Sequence, residues 1–337
     1  MTTGLIAVEE HFMTPALAEA AGRYLASDAA AGSGWREAGV ALSDELRERG
    51  MRQALDLGEG RIASMDAAGM ELAVLSVSTV SNLQMLQPAE GAALARDAND
   101  ELAQAVRDHP ARFAGLACVA PQNPDGAAAE LERAVTDLGL VGVVINSHIR
   151  GEYLDAPRFA VLFEAAQSLG VPIYLHPSLL PAGAVEPYLD YGLMAAMWGY
   201  AAEASLHALR IILAGTFDRF PGTRLVLGHL GEHIPFSLPR LDTHHLQTKA
   251  QCAPALQRLP SEYVHDHLWV STSGMNHAPR SLRFCLDELG PDRIMFAADH
   301  PFEDMAAEIA AFAAADVTET ERTAVSTENA RALFGLS

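Results

Sequence analysis

Lysine is almost missing from this chain: of its 23 basic residues only Lys249 is not an arginine. Any mechanism that needs a lysine Schiff base, a P-loop lysine or a carbamylated lysine between two metals would have to draw on that one residue, in the polar stretch HHLQTKAQCAP, so lysine chemistry is not expected. Cysteine is scarce as well. Cys118, Cys252 and Cys285 are odd in number, far apart and set among apolar residues, which reads as reduced core thiols of a cytoplasmic protein. Positive charge falls short of the 43 acidic residues, and the resulting net charge of −20 disfavours nucleic acid and anionic membranes as partners. No run approaches the ~18 uncharged apolar residues of a bilayer-spanning helix. The opening MTTGLIAVEEHF has no basic region, so no secretory leader is expected. What is present is 337 residues, 50% hydrophobic and 20% charged, which excludes a disordered chain and suffices for a substantial core.

Short β-branched runs alternate with longer alanine-rich amphipathic stretches throughout. Strands are expected at Leu5–Val8, Leu72–Val77, Phe113–Val119, Val141–Asn146, Pro172–Leu175, Arg224–Leu227, Leu268–Ser271 and Arg293–Phe296. Helical patterns fall at 89–108, 125–138, 157–169, 190–218, 234–247, 279–289 and 303–314. Apolar strands separated by helices imply a parallel sheet covered on both faces. Eight such units suit an α/β fold of the (β/α)8 TIM-barrel type. An open doubly wound sheet would want a glycine-rich loop after its first strand, and Glu-Glu-His-Phe stands there instead. No repeat, linker or low-complexity tract interrupts the pattern, so residues 1–337 read as a single domain, with 13–66 a helical insertion over the barrel mouth.

Barrel chemistry collects at the carboxyl ends of the strands. The first strand ends in Glu9-Glu10-His11, the fifth in His176, the sixth in His229 and the eighth in Asp299. Strand alternation puts Glu9 and His11 on one face and turns Glu10 away. Two imidazoles and two carboxylates converging from strands one, five and eight make a four-ligand set suited to a divalent ion, with His229 left over as a base. His148 and His277 follow strands four and seven and could line the pocket. His207 reads as surface or packing on a long helix, and Trp198 as a cap.

The quoted residues resemble a known family. Glu9-x-His11, YLHP at His176, LGHLGEHIP at His229 and FAADHPFED at Asp299 look like the amidohydrolase-related metal-dependent decarboxylases, the group of the gamma-resorcylate, 2,3-dihydroxybenzoate and salicylate decarboxylases. RIASMDAAGMELAVLS at 61–76, GTFDRFPGTRLVLGHLGEHIP at 215–235 and TSGM at 272–275 extend the likeness over nearly the whole chain. The resemblance implies Glu9, His11, His176 and Asp299 as metal ligands and His229 with Glu232 as an acid/base pair. It implies that Arg240 reaches a neighbouring subunit's site in a homodimer or homotetramer, and that Phe302 packs on the substrate ring. His300 stands where relatives carry Trp, Ser or Tyr, and VSTVSNLQML at 77–86 lacks the usual proline of the substrate-facing loop; both bear on specificity.

The function expected is non-oxidative decarboxylation of a small aromatic or unsaturated carboxylic acid, with one divalent ion per chain (Mn2+ or Zn2+) and no organic cofactor. Protonation of the carboxylate-bearing carbon, with Asp299 as donor, would release carbon dioxide. The competing readings are a hydrolase of lactones or amides, or a hydratase of ring-cleavage products, and a non-catalytic metal-stabilised binding protein.

Overall fold

The computed structural model describes residues 4–35, 44–248 and 256–336. Lys249 and Cys252 therefore lie outside the described residues. Eight parallel strands follow one another in order: β1 (Leu5–Phe12), β2 (Met70–Val77), β3 (Phe113–Cys118), β4 (Gly142–Asn146), β5 (Ile173–His176), β6 (Leu225–Leu227), β7 (Leu268–Ser271) and β8 (Ile294–Met295). Backbone hydrogen bonds from Val8 N to Phe296 O at 3.0 Å and from Asp299 N to Glu9 O at 3.1 Å draw the two ends of the sheet together. The expected (β/α)8 barrel is the observed fold. Strands β3 to β6 are buried at every position, as parallel strands covered on both faces must be.

Helices start where the sequence supplies caps. Thr14 accepts from Leu17 N at 3.2 Å, Asn123 from Gly126 N at 3.4 Å and Asp304 from Ala307 N at 2.9 Å, the first two just before a proline at the helix start. The connection from β1 to β2 contains helices Pro15–Ala26, Asp44–Ala54 and Glu59–Ala68. Arg61, 3% exposed, anchors this segment to the barrel: its Nη2 donates to His11 O at 2.6 Å and Gln53 O at 3.0 Å, and its Nε to Asp56 O at 2.8 Å.

Two of the differences from expectation have a clear physical cause. β1 runs on to Phe12 instead of stopping at Val8, because both glutamates on the way find partners inside the protein: Glu9 as described below, and Glu10 by accepting from Ala298 N at 2.9 Å. The helix expected over 190–218 is regular only at Gly199–Leu213 and Thr216–Arg219. Left-handed backbone at Tyr191 (φ 63°), Gly192 (φ 72°) and Gly215 (φ 69°) breaks it.

His207 is not at the surface but fully buried, in a polar network that ties the end of β4 to helix Gly199–Leu213. Its Nε2 accepts from Leu154 N at 2.8 Å, which leaves Nδ1 as the protonated nitrogen, 3.2 Å from Ser147 Oγ. The Ser147 hydroxyl donates in turn to Glu203. Burial, countered only in part by that hydrogen bond, pushes the Glu203 carboxyl up to about 8. A carboxyl raised in the folded state resists ionisation there, so the stability it contributes is full below its unfolded value and is lost as pH rises towards 8. The thermal midpoint should therefore fall more steeply between pH 5 and 9 in the wild type than in Glu203→Gln. Parallel calorimetric slopes would show that Glu203 ionises without penalty.

Candidate active site

At the carboxyl end of β1, Glu9 and His11 point to the barrel axis, and His176 joins them from the last position of β5. One ligand atom from each of these three lies within 4.8 Å of the others, and all three residues are buried. Glu9 Oε1 is 3.4 Å from His176 Nε2, and the His11 and His176 rings meet edge to face at 4.6 Å. Asp299, just past β8, brings Oδ1 to 3.2 Å from His11 Nε2. The other oxygen of Glu9 is saturated: Oε2 accepts from Tyr174 Oη at 2.5 Å, from Ser271 Oγ at 2.6 Å and from the Ser273 hydroxyl. His11 Nδ1 is likewise engaged by Ser76 Oγ at 3.2 Å. Facing the axis, Glu9 Oε1, His11 Nε2 and Asp299 Oδ1 are buried without a hydrogen-bond partner among the described residues. Buried polar atoms are normally paired, so inward-facing oxygen and nitrogen lone pairs left open together fit a divalent cation. Gly228 makes the room, since a Cβ there would sit 2.9 Å from Glu9 Oε1.

His229 completes the site. Its Nδ1 bonds Glu232 Oε1 at 2.9 Å and its Nε2 lies 3.8 Å from Asp299 Oδ2. Burial disfavours charge on His229, but the Glu232 and Glu9 carboxylates and the contact with Asp299 outweigh it, and the imidazole is held well above the usual histidine range. Burial also disfavours ionised Asp299, yet the neighbouring imidazoles of His11 and His229 outweigh it and hold the carboxyl below the usual range. The proton of this pair thus rests on the imidazole. His229, Leu230, Glu232 and Asp299 all adopt left-handed backbone (φ 51°, 56°, 59° and 60°), a conformation uncommon outside glycine and frequent where side chains are aimed for function.

The remaining expected residues divide. Phe302 lies beside the cluster, its ring 5.6 Å from that of His11. His300 is buried and its carbonyl accepts from His11 N at 2.7 Å. It lines a cavity of about 380 Å3 with Arg49, Gln53, Ser64 and Phe302. Arg240 is exposed on helix Ile234–Thr248 and forms no ion pair among the described residues. Trp198 lines a mainly apolar cavity of about 690 Å3 with His229, Glu232, Phe236 and Phe284. Of the two undecided histidines, His148 is spent on the backbone of Leu179 and Gly151, and His277 is exposed and pairs with Glu308 at 2.8 Å. Sequence reasoning missed Tyr174, Ser271, Ser273 and Ser76. Tyr174 had a signal, since it stands two residues before His176 on a strand and so shares its face.

A family model described as amidohydrolase matches residues 29–336, and the chain belongs to that family. It is 35% identical to the gamma-resorcylate decarboxylase of Rhodococcus jostii (strain RHA1), over 99% of both chains. The crystal structure of 5-carboxyvanillate decarboxylase from Sphingomonas paucimobilis superposes with a TM-score of 0.94 at 37% identity, covering 100% of both chains. A 5-carboxyvanillate decarboxylase from Novosphingobium aromaticivorans, solved with manganese and 4-hydroxy-3-methoxy-5-nitrobenzoic acid, gives a TM-score of 0.94 at 34% identity, covering 99% of this chain and 97% of that one.

The support given to Glu9 generates a prediction. Removing the phenol in Tyr174→Phe frees one oxygen of the carboxylate, and affinity for a divalent ion should fall by about 10–100-fold in chelator competition, as for other groups that orient a ligand. Glu9→Gln should remove tight binding altogether. Unchanged affinity in both variants would place the ion elsewhere.

Proposed function

We propose that this protein is a metal-dependent, non-oxidative decarboxylase of a hydroxybenzoate-like acid, with one divalent ion held by Glu9, His11, His176 and Asp299. The observation that carries the proposal is the buried, open-faced cluster set against a hydrogen-bonded His229–Glu232 pair. The decarboxylase names of full-length relatives support it. Manganese in a solved relative favours Mn2+ as the ion. When bound, the ion supplies the positive charge that draws in the carboxylate and favours charge on a neighbouring phenol oxygen.

The chain's own residues then handle one proton. Glu232 keeps His229 charged and oriented, and His229 delivers its Nε2 proton to Asp299 Oδ2 across the gap described above. Asp299 passes that proton to the ring carbon bearing the carboxylate. The bond from that carbon to the carboxylate breaks, its electron pair restores the aromatic ring, and carbon dioxide leaves; solvent reprotonates His229. Phe302, beside His11, is placed to pack on the substrate ring. The strongly acidic protein repels its anionic substrate at long range, so attraction must be local. Arg240, exposed and without an ion-pair partner among the described residues, is proposed to lend charge to the site of a second copy in a dimer or dimer of dimers. The buried free thiols Cys118 and Cys285 suit a cytoplasmic location.

Turnover of a hydroxybenzoate in heavy water should place deuterium at the carbon that held the carboxylate. Asp299→Asn should abolish turnover even where metal is retained, and His229→Ala should slow it by about 10²–10⁴-fold with the metal content intact. Hydroxybenzoates all inert while lactones turn over, with oxygen from labelled water in the product, would replace this reading by hydrolysis.

The shared site has its own test. Arg240→Ala and His229→Ala chains, each strongly impaired alone, should regain activity when mixed and allowed to exchange subunits. No recovery after exchange is verified would assign each site to a single chain.

A further inference from the structure

One buried carboxyl is left unused by the chemistry above. Glu203, on helix Gly199–Leu213, is 1% exposed. The helix that carries it is tied to the loop after β6: the Trp198 ring lies 4.8 Å from that of His233, and Ser205 Oγ accepts from His233 N at 3.3 Å. Glu232, the partner of His229, immediately precedes His233. Burial favours the neutral form of Glu203, the bond from Ser147 opposes this in part, and the Glu232 carboxylate adds to it.

The donor chain that ends on Glu203 runs one way. Leu154 N donates to His207 Nε2, so His207 Nδ1 offers its hydrogen to Ser147 Oγ, and Ser147 donates to Glu203 Oε2. With Oε2 taken, the carboxyl proton falls on Oε1, which is buried without a hydrogen-bond partner among the described residues. The other groups around Glu203 supply no free positive charge to offset an ionised carboxylate. His207 is lowered to about 3 by burial and is neutral. Tyr153, whose ring meets His207 edge to face at 4.9 Å, is raised to about 12 by burial and then by Glu203 itself. Arg210 lies over the Tyr153 ring at 4.9 Å but is held by both oxygens of Asp155, at 2.8 and 2.7 Å.

We propose that Glu203 is a positioning residue for proton delivery, acting through Glu232 on the grip that His229 keeps on the proton it gives to Asp299. This inference rests on the decarboxylase reading and adds a residue to its proton path. Neutral Glu203 leaves Glu232 to act alone on that side of His229. Ionised Glu203 places a second negative charge there, which stabilises the imidazolium further and makes it a poorer acid.

The test follows the single-turnover rate at saturating hydroxybenzoate, in the manganese-loaded protein, at pH 6 and pH 9. Ionisation of Glu203 on the way through about 8 should lower the wild-type rate. The ratio of the two rates should then be about 3–10-fold larger than in Glu203→Gln, whose amide does not ionise. A purely structural role would slow Glu203→Gln equally at both pH values, and an unchanged ratio overturns the proposal. The His229 imidazole gives a second readout that needs neither turnover nor metal. In the metal-free wild type its NMR shifts should show an inflection near pH 8 that vanishes in Glu203→Gln, and shifts flat through this range overturn the proposal. If Glu203→Gln does not fold, Ser147→Ala takes its place: without the hydroxyl that donates to Oε2, the inflection should move to higher pH, and an unmoved one overturns the proposal. A protein inert on every hydroxybenzoate rejects the decarboxylase reading and this inference with it, whereas flat shifts in an active protein reject the inference alone.

Discussion

The site depends on the unequal treatment of the two oxygens of Glu9. Three hydroxyls, from Tyr174 on β5, Ser271 at the end of β7 and Ser273 just beyond it, converge on Oε2 and leave Oε1 bare. A buried carboxylate without such donors would tend to take up a proton and lose its value as a ligand. Burial does push Glu9 in that direction, but the surrounding imidazoles prevail and it is held below its usual range. The same hydroxyls bind three strands at one point on the barrel axis. Ligand geometry and barrel geometry therefore cannot vary independently.

The site is polarised in charge as well. The proton rests on His229, on the side that Glu232 buttresses, while Asp299 is kept ionised between two imidazoles. Two groups whose environments move them in opposite directions form a natural acid/base division of labour. Asp299 read from its position alone is expected to donate a proton; ionised in these surroundings, it would first have to receive one.

Much of this was legible in the sequence for a simple reason. Parallel strands are apolar throughout, so a polar residue at a strand end stands out, and Glu9, His11, His176, His229 and Asp299 were found in that way. The period of two correctly separated Glu9 and His11 from Glu10, which turns to the backbone of Ala298. What stayed hidden required knowledge of neighbours. Tyr174, Ser271 and Ser273 look like ordinary strand residues until the register brings them to one oxygen. His207 was taken for a surface or packing residue because its partners Ser147 and Leu154 are more than 50 positions away. The break at residues 190–198 escaped notice because the alanine-rich pattern continues across it, and only Gly192 hinted at the left-handed turn.

Arg61 carries a consequence for redesign. Its guanidinium spans the carbonyl of His11 on one side and those of Gln53 and Asp56 on the other, so the connection between β1 and β2 hangs from the strand that presents two of the four cluster residues. Such a connection is not an exchangeable lid. A transplanted or shortened segment that lacks this arginine would release the backbone beneath His11, and the first property to change would be the grip on the cation instead of the shape of the entrance.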